Sequence, residues 1–193
     1  MSGTACTRAL SGAKGGLKSM PRLERFKSAQ DSSHVGFESA LEEIRTGGKS
    51  GHWIWYIFPQ LSGLGSSGLS RSFAIDGEEE AAEFLRDSEL RSRLLIIATA
   101  VADQLKTRKT TSLHALMGSD TDARKVVSSL TLFGRVARNL HAAEGIDSYD
   151  AMARVADQVL AIAKSEGYPP CAYTLRRMRD GSRPASPANP NEA

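Results

Sequence analysis

Residues 51–68 read GHWIWYIFPQLSGLGSSG, and the fold turns on how this stretch is taken. Gly63 to Gly68 spell GxGxxG behind the apolar run IWYIF, which opens a dinucleotide-binding unit when strand, tight turn and helix follow one another directly. The spacing is against it. Four residues, Pro59 to Ser62, separate the run from the first glycine, and Asp76-Gly77 interrupts the following segment before a full helix can form. By period alone residues 49–58 fit a helix or an extended segment equally, because a short apolar run ending in Pro59 is ambiguous.

Outward from this stretch the apolar period is helical. Pro21 stands before LERFKSAQ as a first-turn proline would, and Phe37, Leu41 and Ile44 make a stripe that stops at Gly47-Gly48. Asp76 with Glu79 has the spacing of a capping box opening EEEAAEFLRD. Ser88 caps a long helix through LRSRLLIIATAVADQL, of which LLIIATAV alone would also pass for a buried strand. SLHALM stops at Gly118. Residues 121–143 carry Val126, Leu130, Phe133, Ala137 and Leu140 on one face and close at Gly145; Ser148 then opens a last long helix that ends at Gly167, before Pro169-Pro170. The pattern predicts a single compact all-α domain of about six or seven helices over residues 21–178. Residues 1–20, rich in Gly, Ser, Thr and Ala, and residues 179–193, rich in Pro, Ser and Asn, are expected to be disordered tails. Met20 is a second candidate start.

The chain carries a formal charge of +3, and the excess lies at its ends: Arg8, Lys14, Lys18, Arg179 and Arg183, against Asp180 and Glu192, fall outside residues 22–178. A neutral body with weakly basic ends argues against a specific nucleic-acid surface. No apolar run approaches the roughly 20 residues that span a bilayer, no signal-peptide pattern opens the chain, and Cys6 and Cys171 lack metal or redox spacing. A protein of the cytoplasm is expected, without membrane partner, metal or cofactor; the oligomeric state is left open.

Four of the twelve aromatic residues lie between Trp53 and Phe58. His52, Trp53, Trp55 and Tyr56 bring four polar edges that each need a partner if buried, so the segment reads either as core or as the wall of a pocket for a planar ligand, with Gln60 hydrogen-bonding its rim. The glycine loop is either a plain connection or an anion nest of backbone N–H groups at Gly63 and Gly65, with Ser66, Ser67 and Arg71 beside it. On the clearest helix, Asp122, Ser129 and Lys125 fall about 40°, 60° and 100° to one side of Val126. That polar line is either an internal Asp122–Lys125 pair with a self-bonded Ser129, or a carboxylate, a cation and a hydroxyl given to a cleft shared with the aromatic segment. His34, His114 and His141 are isolated.

The string GHWIWYIFPQLSGLGSS, followed by FAI and later by Asp122, Lys125 and SSLTLF (128–133), resembles the bacterial domain-of-unknown-function family eighteen-ten, sometimes labelled calpastatin. Ile54 and Tyr56 stand where members tend to read Met and Phe. The similarity spans about residues 22–178, loosely beyond 140 apart from a closing TLRRM. It implies an all-helical fold and carries no activity, substrate or catalytic residue with it. Together with the residues it suggests a cleft of His52, Trp53, Trp55, Gln60, the 63–68 loop and the Asp122, Lys125, Ser129 flank. Such a cleft suits a small planar anionic ligand such as a nucleotide or nucleotide sugar, with Asp122 or His52 as general base if water is activated. The rival expectation is a non-catalytic helical protein-interaction module whose aromatic segment is core.

Overall fold

The computed structural model describes residues 22–107 and 112–179, so the expected tail 1–20, Pro21 and residues 180–193 lie outside the described residues, while Arg179, expected to open the C-terminal tail, is the last residue of a helix. Among the described residues ten helices follow in order: α1 (Glu24–Gln30), α2 (Phe37–Thr46), α3 (Ile54–Ile57), α4 (Gly68–Ser72), α5 (Gly77–Arg86), α6 (Ser88–Thr107), α7 (Leu113–Met117), α8 (Asp120–Glu144), α9 (Asp147–Ser165) and α10 (Ala172–Arg179). No strand occurs among the described residues; Leu61 and Ile75 form one isolated parallel bridge. LLIIATAV lies inside α6. The all-α class holds, while six or seven helices was too few. The three that period did not reveal, α3, α4 and α10, are four, five and eight residues long. They are shorter than the window over which a helical period can be read.

The helix α8 is the axis of the domain. From Val126 to Gly134 every residue is buried, because α3, α5, α7, α9 and α10 all pack around it. A helix covered on every side has no solvent face, so the single stripe expected through Val126 and Leu130 was only part of its buried surface. Its contact with α9 is the most extensive between described helices, and it is close: a methyl group placed on Gly134 would lie 2.8 Å from Cβ of Ala156. α6 packs on α2 and α9 and completes the outer layer. A run of rings crosses the core from Tyr56 through Phe73, Phe26 and Phe84 to Phe133, with centroids 4.9 to 5.9 Å apart.

Several caps differ from expectation. Glu80, not Glu79, reaches back to the Asp76 N–H (2.6 Å), while Asp76 turns outward to Arg22. Glu80 is buried because it also receives Arg25 at 2.7 Å. Asp87, not Ser88, caps α6 by accepting from the N–H groups of Glu89 and Leu90. α9 begins at Asp147 behind Ile146, without a side-chain cap. Among the described residues no helix is long and apolar enough to cross a membrane.

Candidate functional site

The aromatic segment divides its residues between core and cavity. At about 100° per residue, positions 53 and 55 lie on opposite sides of a helical turn. Trp53 is accordingly fully buried, and Trp55 is half-exposed. Glu43 of α2 satisfies the buried indole: its Oε2 accepts from Trp53 Nε1 at 2.7 Å and from the backbone N–H of Ser50 (2.7 Å) and Gly51 (2.8 Å). The Tyr56 hydroxyl donates to the Val35 carbonyl at 2.6 Å. Pro59, lacking an N–H, ends the turn after the Phe58 N–H has bonded Ile54. Gln60 then accepts from the Ile75 N–H at 2.8 Å, and the Ser62 N–H donates to Ile75 at 2.9 Å, which closes the glycine loop and α4 as one excursion.

Gly63 has φ +92°, and a Cβ there would meet the Tyr173 hydroxyl at 2.3 Å. Tyr173 Oη donates to the Ser62 carbonyl at 2.8 Å, so α10 lies directly on the loop. The backbone N–H groups of Gly63 to Ser66 donate to no described residue. The Ser67 hydroxyl caps α4 by accepting from the Ser70 N–H (3.1 Å), and Arg71 turns back to the Ser66 carbonyl.

Beside the loop is a cavity of about 710 Å³. Trp55, Gln60, Gly65, Ser66, Ser67 and Lys125 line it, so six of the residues chosen from sequence come together there. Gly63 and Arg71 line instead a 60 Å³ chamber that shares Trp55, Gln60 and Gly65 with it. His52 is exposed and lines neither; Trp53, Asp122 and Ser129 are also outside the lining. Ser129 is fully buried with its hydroxyl unpaired, not bonded back to its own helix. Its neighbour Ser128 lines the cavity instead. Sequence reasoning missed Ser128, Arg124 and the segment Tyr168 to Ala172, which forms a further stretch of wall. The only sequence signal for that wall was the break at Gly167 and Pro169-Pro170 ahead of TLRRM.

Cations stand over the aromatic lining: Lys125 Nζ lies 4.4 Å from the Trp55 ring centroid, and the Arg124 guanidinium 5.4 Å from that of Tyr168. Lys125 is held there by Asp122, whose carboxylate pairs with Lys125 Nζ at 2.8 Å and with Lys49 Nζ at 2.7 Å. The i,i+3 pair expected within α8 is therefore formed, and Lys49, a partner that no periodicity signals, joins it. Burial works against the Asp122 charge, but the hydrogen bonds from Lys125 and Lys49 outweigh it and hold the carboxyl below the usual carboxylate range. A carboxylate so placed is a weak proton acceptor.

Residues 20–157 match the family model described as "Protein of unknown function (DUF1810)". The chain belongs to the DUF1810 family. The crystal structure of the conserved hypothetical protein Rv1873 from Mycobacterium tuberculosis is similar to this DUF1810 chain at 31% identity, over 81% of this chain and 96% of that one, with a TM-score of 0.62. Among curated proteins none matches. The DUF1810 match ends before Tyr168, so the cavity joins a wall from inside the matched region to one from beyond it.

Two of the carboxyls that are held low, Asp122 and Glu43, set an expected pH response. Glu43 is also held down: burial opposes its charge, and the donors from Gly51, Ser50 and Trp53 prevail. A folded-state pKa below the unfolded value contributes stability that is present above the unfolded value and lost as pH falls through the folded one. Urea midpoints of this DUF1810 protein should therefore fall between about pH 5 and pH 3. Asp122→Asn and Glu43→Gln should each flatten that slope. Slopes unchanged in both variants would show that neither carboxylate is held as described.

Proposed function

We propose that the cavity binds a small, planar, anionic molecule of the nucleotide or nucleotide-sugar class. The observation that carries this is the meeting, in one space of about 710 Å³, of an aromatic wall, two cations and a loop whose N–H groups at 64–66 donate to no described residue. That volume is in the range of small-molecule sites. The planar part lies against Trp55 and Tyr168, and the Gln60 amide, which bonds no described residue, serves the ring edge. The anionic part lies against Lys125, Arg124 and the loop amides. Asp122 is a positioning residue that keeps the Lys125 ammonium at the rim.

The proposal is one of binding. For hydrolysis the candidate bases are His52 and Asp122, and their placement supports neither: His52 is outside the lining, and Asp122 is occupied by two ammonium groups.

A thermal-shift screen against nucleotides, dinucleotides, ADP-ribose and sugar phosphates tests the reading. A ligand at 100 times its dissociation constant adds about 2.7 kcal/mol to the folded state. The shift should disappear in Trp55→Ala and Lys125→Ala while their circular dichroism stays that of the parent. A flat screen on well-folded protein, or a shift that survives both substitutions, would end this assignment.

A further inference from the structure

α8 and α9 form an antiparallel hairpin, and Arg138 and Asp157 set its register: both oxygens of Asp157 accept from one guanidinium nitrogen, at 2.8 and 2.9 Å. In that register Leu160 comes opposite Arg135, and Lys164 opposite Thr131. On each helix these positions recur at spacings of three and four, so they share one face. They line a groove of about 550 Å³ that follows the outer seam of the hairpin for about 10 Å, two turns of helix. Pro170 and Leu175 also line it, from the stretch that the Cys171 N–H ties to Thr131 at 3.1 Å.

Positive charge and apolar surface meet in this groove without being matched. Asp157 is the one carboxylate among the lining residues, and Arg138 holds both its oxygens. Arg135 is half-buried and Lys164 is exposed; neither pairs or hydrogen-bonds with any described residue. A guanidinium partly withdrawn from water beside a half-buried leucine has lost hydration and gained no opposite charge in return. A partner's carboxylate would restore that balance, and arginine is enriched in protein interfaces for such pairings. The rim is open, since Arg138, Asn139, Asp157, Ala161 and Lys164 are all exposed. An occupant is therefore covered on one side only, as a protein segment is, whereas a small-molecule site buries most of its ligand. The chain's own residues outside the described ones lack the matching chemistry. Residues 1–20 and 108–111 contain no acidic side chain, and residues 180–193 contain Asp180 and Glu192 but no large apolar one.

We propose that this groove docks a short segment of a partner protein that carries acidic side chains beside leucine-like ones. The carboxylates meet Arg135 and Lys164, and the apolar side chains lie on Leu160, Pro170 and Leu175. Pro170 lines both this groove and the 710 Å³ cavity, but the two share no cation, and the inference does not rest on the ligand reading.

The full-length protein is immobilised and selected against a random dodecapeptide phage library, in parallel with Arg135→Glu, Lys164→Glu and Lys125→Ala. Enriched peptides should carry Asp or Glu next to Leu, Ile or Phe. Resynthesised with a fluorescein label, they should bind the parent and Lys125→Ala alike in anisotropy titrations and lose at least tenfold in affinity to Arg135→Glu and to Lys164→Glu. Their binding should weaken as salt is raised. A library that enriches no such sequence, or peptides that bind Arg135→Glu as tightly as the parent, would overturn the groove. Peptides lost in Lys125→Ala but kept by Arg135→Glu belong to the 710 Å³ cavity and overturn it too. A dimer of the parent that Lys164→Glu dissociates would replace the partner protein by a second copy and overturn the assignment. Because Lys164 is exposed, its variant decides where Arg135→Glu fails to fold. The nucleotide screen is read through Trp55 and Lys125, so either result there leaves these outcomes standing.

Discussion

Trp53→Ala should lower the unfolding free energy by about 3 to 5 kcal/mol, the usual cost of truncating a fully enclosed large aromatic. Two losses combine. The indole leaves a void in the buried core, and Glu43 loses one of its three donors while staying beside that void. Trp53→Phe separates them, since it fills most of the volume and removes only the N–H; it should cost clearly less than the alanine. Trp55→Ala, on the half-exposed side of the same turn, should cost less than either. Urea unfolding of the three variants measures this ordering. If Trp55→Ala proved as damaging as Trp53→Ala, the division of the segment into core and cavity wall would be wrong.

Gly134→Val should be the second large effect, at about 1 to 3 kcal/mol from overpacking. The first added carbon already meets Ala156 at 2.8 Å, closer than two methyl carbons approach, and both belong to helices whose backbones cannot yield singly. α8 and α9 must therefore separate along their shared length, and valine worsens this with two further methyl groups. Gly134→Ala should show the same sign with smaller size. The decisive measurement is a double-mutant cycle: Ala156→Gly alone costs about 1 kcal/mol of helix propensity, but combined with Gly134→Ala it should recover part of the loss. Strict additivity would mean that the close approach is not what limits the pair.

The long helices were legible because each shows several turns of apolar period, to which α2 adds a glycine stop at Gly47 and α8 one at Gly145. The short ones were not, since a single turn such as α3 has no period to read. The same limit governed the site. Trp55 and Lys125 were both singled out, and their meeting at 4.4 Å brings together residues seventy positions apart. What period did not distinguish was Ser128 from Ser129, because a helical wheel assigns faces only when one side is wet, and α8 is buried all round from Val126 to Gly134. Nor did it reveal Lys49 as a partner of Asp122, or Glu43 as the acceptor for Trp53, because each reaches its partner by a turn of the chain. The segment 168–171 escaped for a third reason: it has no regular structure, and only docking against α8 turns it into a wall.

The hydrogen bond from Tyr173 to Ser62 joins positions 111 residues apart. During synthesis the tryptophans, the glycine loop and Lys125 all leave the ribosome well before Tyr168 to Tyr173 do. The cavity therefore lacks one wall until Tyr168 to Ala172 have emerged, and the proposed ligand site takes shape only after that.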